Sequence, residues 1–343
     1  KSGYTFYSQT DTEVITKLLD YYYKKCQGST LEAIVKVMLR VRGSYALGIM
    51  LKAEPGVIYS VRKDSPLIVG QSKEGCFIAS DVPAILKYTR TVYYVNNQEV
   101  VKLRGDHMHF YSVDEEELQK EPVTIDWDAN AAEKEGYEHF MLKEIYEQPK
   151  TVTDTLSPRI KNGEIVIEEL NMTDEELRAV KRIHIVACGS AYHTGVTAKY
   201  ILEALVRIPV EVDVASEFRY RNPILEEDSM VIVISQSGET ADSLAALRAA
   251  KERGFKVLGI VNVVGSSIAR EADSVMYTWA GPEIAVATTK AYSAQLSALY
   301  LLAMKLGRVR GVISDEVFAK LLEDLKKLPN QIELLLGQKE KIQ

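Results

Sequence analysis

Cysteine is scarce: Cys26, Cys76 and Cys188 are the only three, with no paired spacing among them. That odd, sparse count fits a reducing compartment better than a disulfide framework. Metal ligation has as little support, because the five histidines do not cluster with the cysteines. Positive charge is also short. The formal net charge is -6, which argues against nonspecific nucleic-acid binding but leaves room for a local pocket that takes a small anion. No apolar run reaches the length of a membrane span, and the opening residues carry no signal-peptide pattern. The expectation is a cytoplasmic protein with no metal, no cofactor, no membrane contact and no nucleic-acid partner.

What is present is a globular composition, 46% hydrophobic and 26% charged over 343 residues, too long for one ordinary core and so predicting two domains. Lys1 rather than Met opens the chain, and a helical run closes it abruptly at Gln343; both ends read as cuts in a longer parent.

Val14, Ile15, Leu18, Leu19 and Tyr22 recur at helical spacing and predict a helix over 11–25, capped by Thr10 or Asp11. A second helix is predicted over 30–42, closed by Gly43. The period then changes to that of strands through residue 111, with Gly105-Asp106 marking a hairpin. Two helices followed by many strands predict an α+β unit. Residues 112–135 are acidic and polar and read as a linker, leading into a helix at about 136–148.

The second half alternates strand, turn and helix. Apolar runs at 183–187, 210–214, 230–234, 256–261 and 274–278 predict parallel βαβ units with helices on both faces. Helices are predicted at 193–206 and 288–306, and further ones over 314–337, interrupted at Pro329.

In such a sheet, ligands sit outside the carboxyl ends of the strands. Three ends are small and polar: Cys188-Gly189-Ser190, Ser235-Gln236-Ser237-Gly238-Glu239-Thr240, and the run from Asn262 to Ser267. The second is the most informative. Ser235, Ser237 and Thr240 offer hydroxyls, Gly238 permits close backbone approach, and a helix starting near Ala241 aims free N–H groups and a positive dipole end at the same spot. The pattern is neither a nucleoside-triphosphate loop nor a dinucleotide fingerprint. Helix capping is the plainer reading of one such loop; three together favour a sugar-phosphate site. Val286 and Thr288 are candidate pocket-lining residues, with Thr288 and Thr289 equally able to cap the next helix. Lys290 reads as a solvated charge. Glu217 and Arg219 read as a surface ion-pair cluster, His139 and His193 as ordinary structural histidines, and Cys188 as a packing residue.

These motifs carry a resemblance. The runs 187–190, 216–220, 235–242 and 288–291 resemble the hallmarks of the sugar isomerase (SIS) domain. The run from His139 to Pro149 resembles the start of the isomerase half of the glutamine:fructose-6-phosphate amidotransferase family. Gly3-Tyr4-Thr5-Phe6, Asp11, Arg42-Gly43-Ser44-Tyr45-Ala46, Ser65-Pro66-Leu67 and Ala79-Ser80-Asp81 are similar to the later part of that family's glutaminase domain.

The resemblance implies an α/β chain: a partial α+β Ntn-hydrolase (glutaminase type 2) domain over 1–120, a linker over 121–135, and an isomerase region over 136–343. That region would hold the first SIS domain, at about 174–313, as a flavodoxin-like three-layer αβα fold. It implies part of an aminotransferase that makes glucosamine 6-phosphate and glutamate from fructose 6-phosphate and glutamine, the first step towards UDP-N-acetylglucosamine. Asp11 matches the carboxylate that holds the glutamine amino group. Ser235, Gln236, Ser237 and Thr240 match the phosphate loop, Ser190 a pocket residue, and Val286 and Thr288 positions that contact the sugar. Ala191 stands where the family commonly has a sugar-contacting Ser. The nucleophilic Cys and the second SIS domain would lie outside this chain, so no catalytic residue is expected in it and the chain alone is expected to be inactive. The resemblance also implies a homodimer. A non-enzymatic SIS regulator that senses sugar phosphates is the alternative; residues 1–115 lack the basic helix pair such a protein would carry. A deglycase-type SIS enzyme is disfavoured by the glutaminase-like first third.

Overall fold

The first helical stretch of the sequence forms α1 (Thr12–Lys25) in a computed structural model that describes residues 3–127 and 133–341. Asp11 stands at its N-cap position, but no side chain caps the helix there. The Glu13 carboxylate in the first turn instead reaches back to the segment ahead of the helix, accepting the backbone N–H groups of Tyr7 and Ser8 at 2.9 and 2.7 Å, which holds its pKa down to about 2. α2 (Thr30–Arg40) buries Ile34, Val35 and Met38. It ends two residues before the expected 42, because Val41 is already extended.

Nine short strands follow: β1 (Tyr45–Ile49), β2 (Val57–Lys63), β3 (Ile68–Ser72), β4 (Gly75–Ala79), β5 (Thr91–Tyr94), β6 (Val100–Arg104), β7 (His107–Tyr111), β8 (Glu117–Leu118) and β9 (Val123–Thr124). They make two antiparallel sheets, ordered β1-β2-β6-β7-β8 and β4-β3-β5-β9. The strand period of two sorts their side chains. Val57, Tyr59 and Val61 of β2, with Val100 of β6, meet Ile34 and Met38 of α2. Ile58, Val101, Leu103 and Phe110 pack instead with Val69 and Ile78 of the second sheet. This unit is therefore helix layer, sheet, sheet, and it ends at Asp126. β9 falls inside the segment read as a linker, because Val123 pairs with Val92, a contact with no short-range signal. Residues 128–132 of that expected linker lie outside the described residues.

The second unit, Trp127–Gln343, opens with α3 (Phe140–Tyr146), α4 (Gln148–Leu156), a hairpin of β10 (Ile160–Lys161) and β11 (Glu164–Ile165), and α5 (Asp174–Ala179). β12 (Arg182–Ala187), α6 (Gly189–Val206), β13 (Val210–Val214), α7 (Ala215–Arg221), β14 (Ser229–Ser235), α8 (Ala241–Glu252), β15 (Lys256–Val261), α9 (Ser267–Glu271) and β16 (Ser274–Tyr277) follow in alternation. α10 (Lys290–Val309) and α11 (Asp315–Leu336) complete the unit. The five strands β12 to β16 are parallel, in the order β13-β12-β14-β15-β16.

β14 shows why both faces are covered. Met230, Ile232 and Ile234 point into a core shared with α6, α10 and α11, while Val231 and Val233 point into a core shared with α7 and α8. The result is a three-layer αβα fold with a flavodoxin-like strand order. Two helices depart from expectation. α6 starts at Gly189, four residues earlier than predicted. α11 is one helix that runs through Pro329; the proline removes one backbone donor, and Phe318, Leu322 and Leu325 on the buried face hold the helix against the core.

Candidate functional site

The strand order reverses between β12 and β14: the chain leaves β12 through α6 for β13 on one side and leaves β14 through α8 for β15 on the other. The carboxyl ends of these two strands therefore flank the crevice where open parallel sheets take ligands.

Ser235 is the last residue of β14 and is buried. Its Oγ accepts the Gly238 N–H at 3.0 Å and lies 3.0 Å from Thr240 Oγ1. Thr240 is the N-cap residue of α8, yet its side chain makes no capping hydrogen bond. The hydroxyl turns toward Ser235 instead, so the amino end of α8 keeps donors free of a side-chain cap. Ser237 folds onto its own loop, its Oγ accepting the Glu239 N–H at 3.2 Å. Gly238 has φ +67°, and a Cβ there would collide with the buried Ser266. The loop is pinned from the β15 side. Asn262 N–H donates to the Gln236 carbonyl at 3.1 Å, Ile268 N–H to the Gly238 carbonyl at 3.0 Å, and Ser267 N–H to the Glu239 carboxylate at 2.7 Å.

The neighbouring strand end is tied to this loop. Ser243 of α8 donates to the Cys188 thiol at 3.8 Å, and Cys188 packs at the edge of the α7–α8 core. Ser190 is exposed in the first turn of α6, while Ala191 is buried.

A third element is the loop over 278–289, between β16 and α10. Asn262 holds its start: the side-chain oxygen accepts from Thr278 Oγ1 at 3.1 Å and from Ala280 N–H at 2.8 Å, and Nδ2 donates to the Gly281 carbonyl at 2.7 Å. Glu283 holds its end, accepting the N–H groups of Thr289 and Ala291 at 3.0 and 3.1 Å. Burial raises the Glu283 pKa, against the pull of those two amides. Thr289 occupies the N-cap of α10 without capping it, and its buried hydroxyl has no partner among the described residues. Val286 is fully exposed at the loop's tip and Thr288 is half-buried.

Lys290 is not a solvated charge. It is 2% exposed, and its Nζ donates to Glu147 at 2.7 Å. Its partner lies 143 residues earlier in the chain, beyond any local pattern. Of the other candidates, Arg219 bonds Asp242 at 3.3 Å while Glu217 is exposed on α7, and His139 and His193 are both exposed. Asp11 belongs to the other unit, at a groove of about 810 Å³ lined also by Arg40, Arg42, Ser44 and Tyr45. No group of three or more His, Cys, Asp or Glu side chains arranged for a metal occurs among the described residues, and no described helix is long and apolar enough to cross a membrane.

The geometry thus brings Ser235 and Thr240 into contact, sets Gln236 and Ser237 in the same loop and Ser190 at the adjoining strand end, and ties the segment that bears Val286 and Thr288 to the 235–240 loop through Asn262. The roles of Asn262 and Glu147 were not legible beforehand; they act through partners outside their own turn or loop.

Residues 176–305 match the SIS domain. The chain is 54% identical over 342 residues to the glutamine-fructose-6-phosphate aminotransferase (isomerizing) of Clostridium acetobutylicum, an alignment that covers 99% of this chain and 56% of the relative. Its counterpart from Caldanaerobacter subterraneus subsp. tengcongensis is also 54% identical, over 100% of this chain and 56% of the relative. The chain thus spans about half the length of the curated relatives it matches. Among solved structures, the C-terminal domain of glucosamine-fructose-6-phosphate aminotransferase from Francisella tularensis superposes with a TM-score of 0.56 at 42% identity, covering 57% of this chain and 56% of that one.

Proposed function

This chain belongs to the glutamine-fructose-6-phosphate aminotransferase (isomerizing) family, and on that premise we propose that it supplies the sugar-phosphate-binding lobe of such an enzyme together with part of its glutamine site. The phosphate of fructose 6-phosphate sits on Ser235, Gln236, Ser237 and Thr240, at the amino end of α8. The sugar extends toward Ser190 on one side and toward Val286 and Thr288 on the other. The lobe spans about 174–313. Residues 1–120 are the later part of a glutaminase of the Ntn-hydrolase type, in which Asp11 takes the amino group of glutamine, and 121–135 is the connection. The parent is a cytoplasmic homodimer that releases glucosamine 6-phosphate and glutamate. No catalytic residue is assigned within this chain; its contribution is binding and orientation, which hold the reacting carbons in place for groups elsewhere in the enzyme.

One observation carries the reading: Ser235 Oγ and Thr240 Oγ1 stand 3.0 Å apart at a helix start whose N-cap side chain does no capping. Two hydroxyls and a set of uncapped amides suit a phosphate dianion without a cation, because each bond to a charged oxygen is stronger than a neutral one. Calorimetric titration of the chain with fructose 6-phosphate tests this. Binding in competition with inorganic phosphate is expected, with a loss of roughly tenfold or more in affinity for the Ser235→Ala/Thr240→Ala variant. A folded chain that releases no heat at millimolar sugar phosphate would sink the proposal.

A further inference from the structure

Glu144 is 2% exposed on α3, upstream of the matched SIS residues, and the family likeness assigns it no role here. Its Oε1 accepts two backbone amides of the 278–289 loop, Ile284 N–H at 2.6 Å and Ala285 N–H at 3.0 Å. Those are the two residues immediately before the exposed Val286. Oε2 is buried and has no partner among the described residues. Leaving a carboxylate oxygen buried and unmet costs free energy, which the two amide bonds to the other oxygen offset. The cost is matched by a conformation: a loop without regular structure, held rigid at the point where it projects.

The neighbours of Glu144 lock α3 and α4 onto the start of α10. Lys290 Nζ donates to Glu147 at 2.7 Å, and Ser293 Oγ donates to Gln148 Oε1 at 2.6 Å. Lys143 Nζ, 3.6 Å from Glu147, also donates to Glu135 at 3.0 Å. Asn262 and Glu283 fix the two ends of the loop; Glu144 alone among the described side chains takes the amides at 284 and 285.

We propose that Glu144 is a positioning residue for the sugar site: its carboxylate fixes the backbone at 284–285 so that Val286 and Thr288 meet the sugar at a set height above the phosphate loop. This deepens the sugar-site reading above and rests on it. A displacement of this backbone by about 1 Å is enough to lose much of the orientation benefit.

The test uses the complete gene product with Glu144→Ala and Glu144→Gln. The Gln carbonyl oxygen still accepts both amides, so it separates loss of the clamp from loss of charge. Two quantities are read: hydrogen exchange of the 280–291 segment without ligand, and kinetics with fructose 6-phosphate alongside glutamine hydrolysis without sugar. For Glu144→Ala, exchange speeds up and the KM for fructose 6-phosphate rises about tenfold or more, while glutamine hydrolysis stays within about twofold; Glu144→Gln restores both. The inference is overturned by unchanged exchange in Glu144→Ala, by faster exchange with an unchanged sugar KM, by Gln behaving as Ala, or by an equal fall in glutamine hydrolysis. If the unmodified protein ignores fructose 6-phosphate, the sugar reading fails and takes this inference with it, and the exchange arm then shows whether Glu144 is a clamp for structure alone.

Discussion

His184 lies in the middle of β12, 1% exposed, with neither ring nitrogen hydrogen-bonded among the described residues. Glu211 on the adjacent strand β13 stands 3.7 Å from Nδ1, with Arg182, Asp213 and Arg221 the other charges that act on the ring. Burial is the largest influence and lowers its pKa below the usual 6.5, with Glu211 pulling the other way. The folded state therefore prefers neutral imidazole. The unfolded chain takes up its proton near 6.5, so stability is full above that value and is lost as pH falls through it toward the folded pKa. A thermal-melting series between about pH 7.5 and 5 is expected to show a falling midpoint that flattens in His184→Leu, whose side chain cannot titrate. Equal slopes for the two proteins would remove His184 as the cause. Lys290 and Glu144 teach the same lesson about single residues. In the sequence each is an ordinary charge on a helix, and what makes it special is a partner some 140 positions away.

Helices in the second unit meet at sites chosen for small side chains. Gly307 of α10 is buried, and a Cβ there would collide with the backbone carbonyl of Leu205 in α6. Backbone cannot yield as a side-chain tip does, so Gly307→Ala forces the two helices apart. The expected cost is roughly 1–3 kcal/mol, read as a fall of several degrees in the melting midpoint; a neutral or raised midpoint would show that the crossing adapts freely. Element types were largely readable because their periods were clean: β14 is an unbroken apolar run and β15 covers the predicted 256–261. The ends were less readable. α6 starts at Gly189 and α10 at Lys290 rather than 288, since each start is set by the exit of the preceding strand or loop, not by the helix's own apolar stripe.

Among the described residues, hydrophobic cores form around the antiparallel sheets of Lys1–Asp126 and around the parallel sheet of Trp127–Gln343. A ligand that binds one unit stabilises that unit by mass action. Under the proposed function, fructose 6-phosphate therefore slows hydrogen exchange in the second unit, most at 235–241 and 280–290, and leaves α2 and β6 of the first unit unchanged. Protection confined to the first unit would contradict the assignment of the sugar to the parallel-sheet crevice.

Local chemistry accounts for a good deal of this. Unbroken apolar strands can only be buried on both faces, and strand–helix alternation forces parallel pairing; both depend on neighbours within one turn or one loop. The strand order that makes β12 and β14 the flanks of the crevice, the pairing of Val123 with Val92, and the clamps at Asn262, Glu144 and Lys290 depend on which distant segments come to rest together. Those contacts are settled when the packed layers exclude water, because burial then obliges each amide and charge to find a partner wherever the fold has put one.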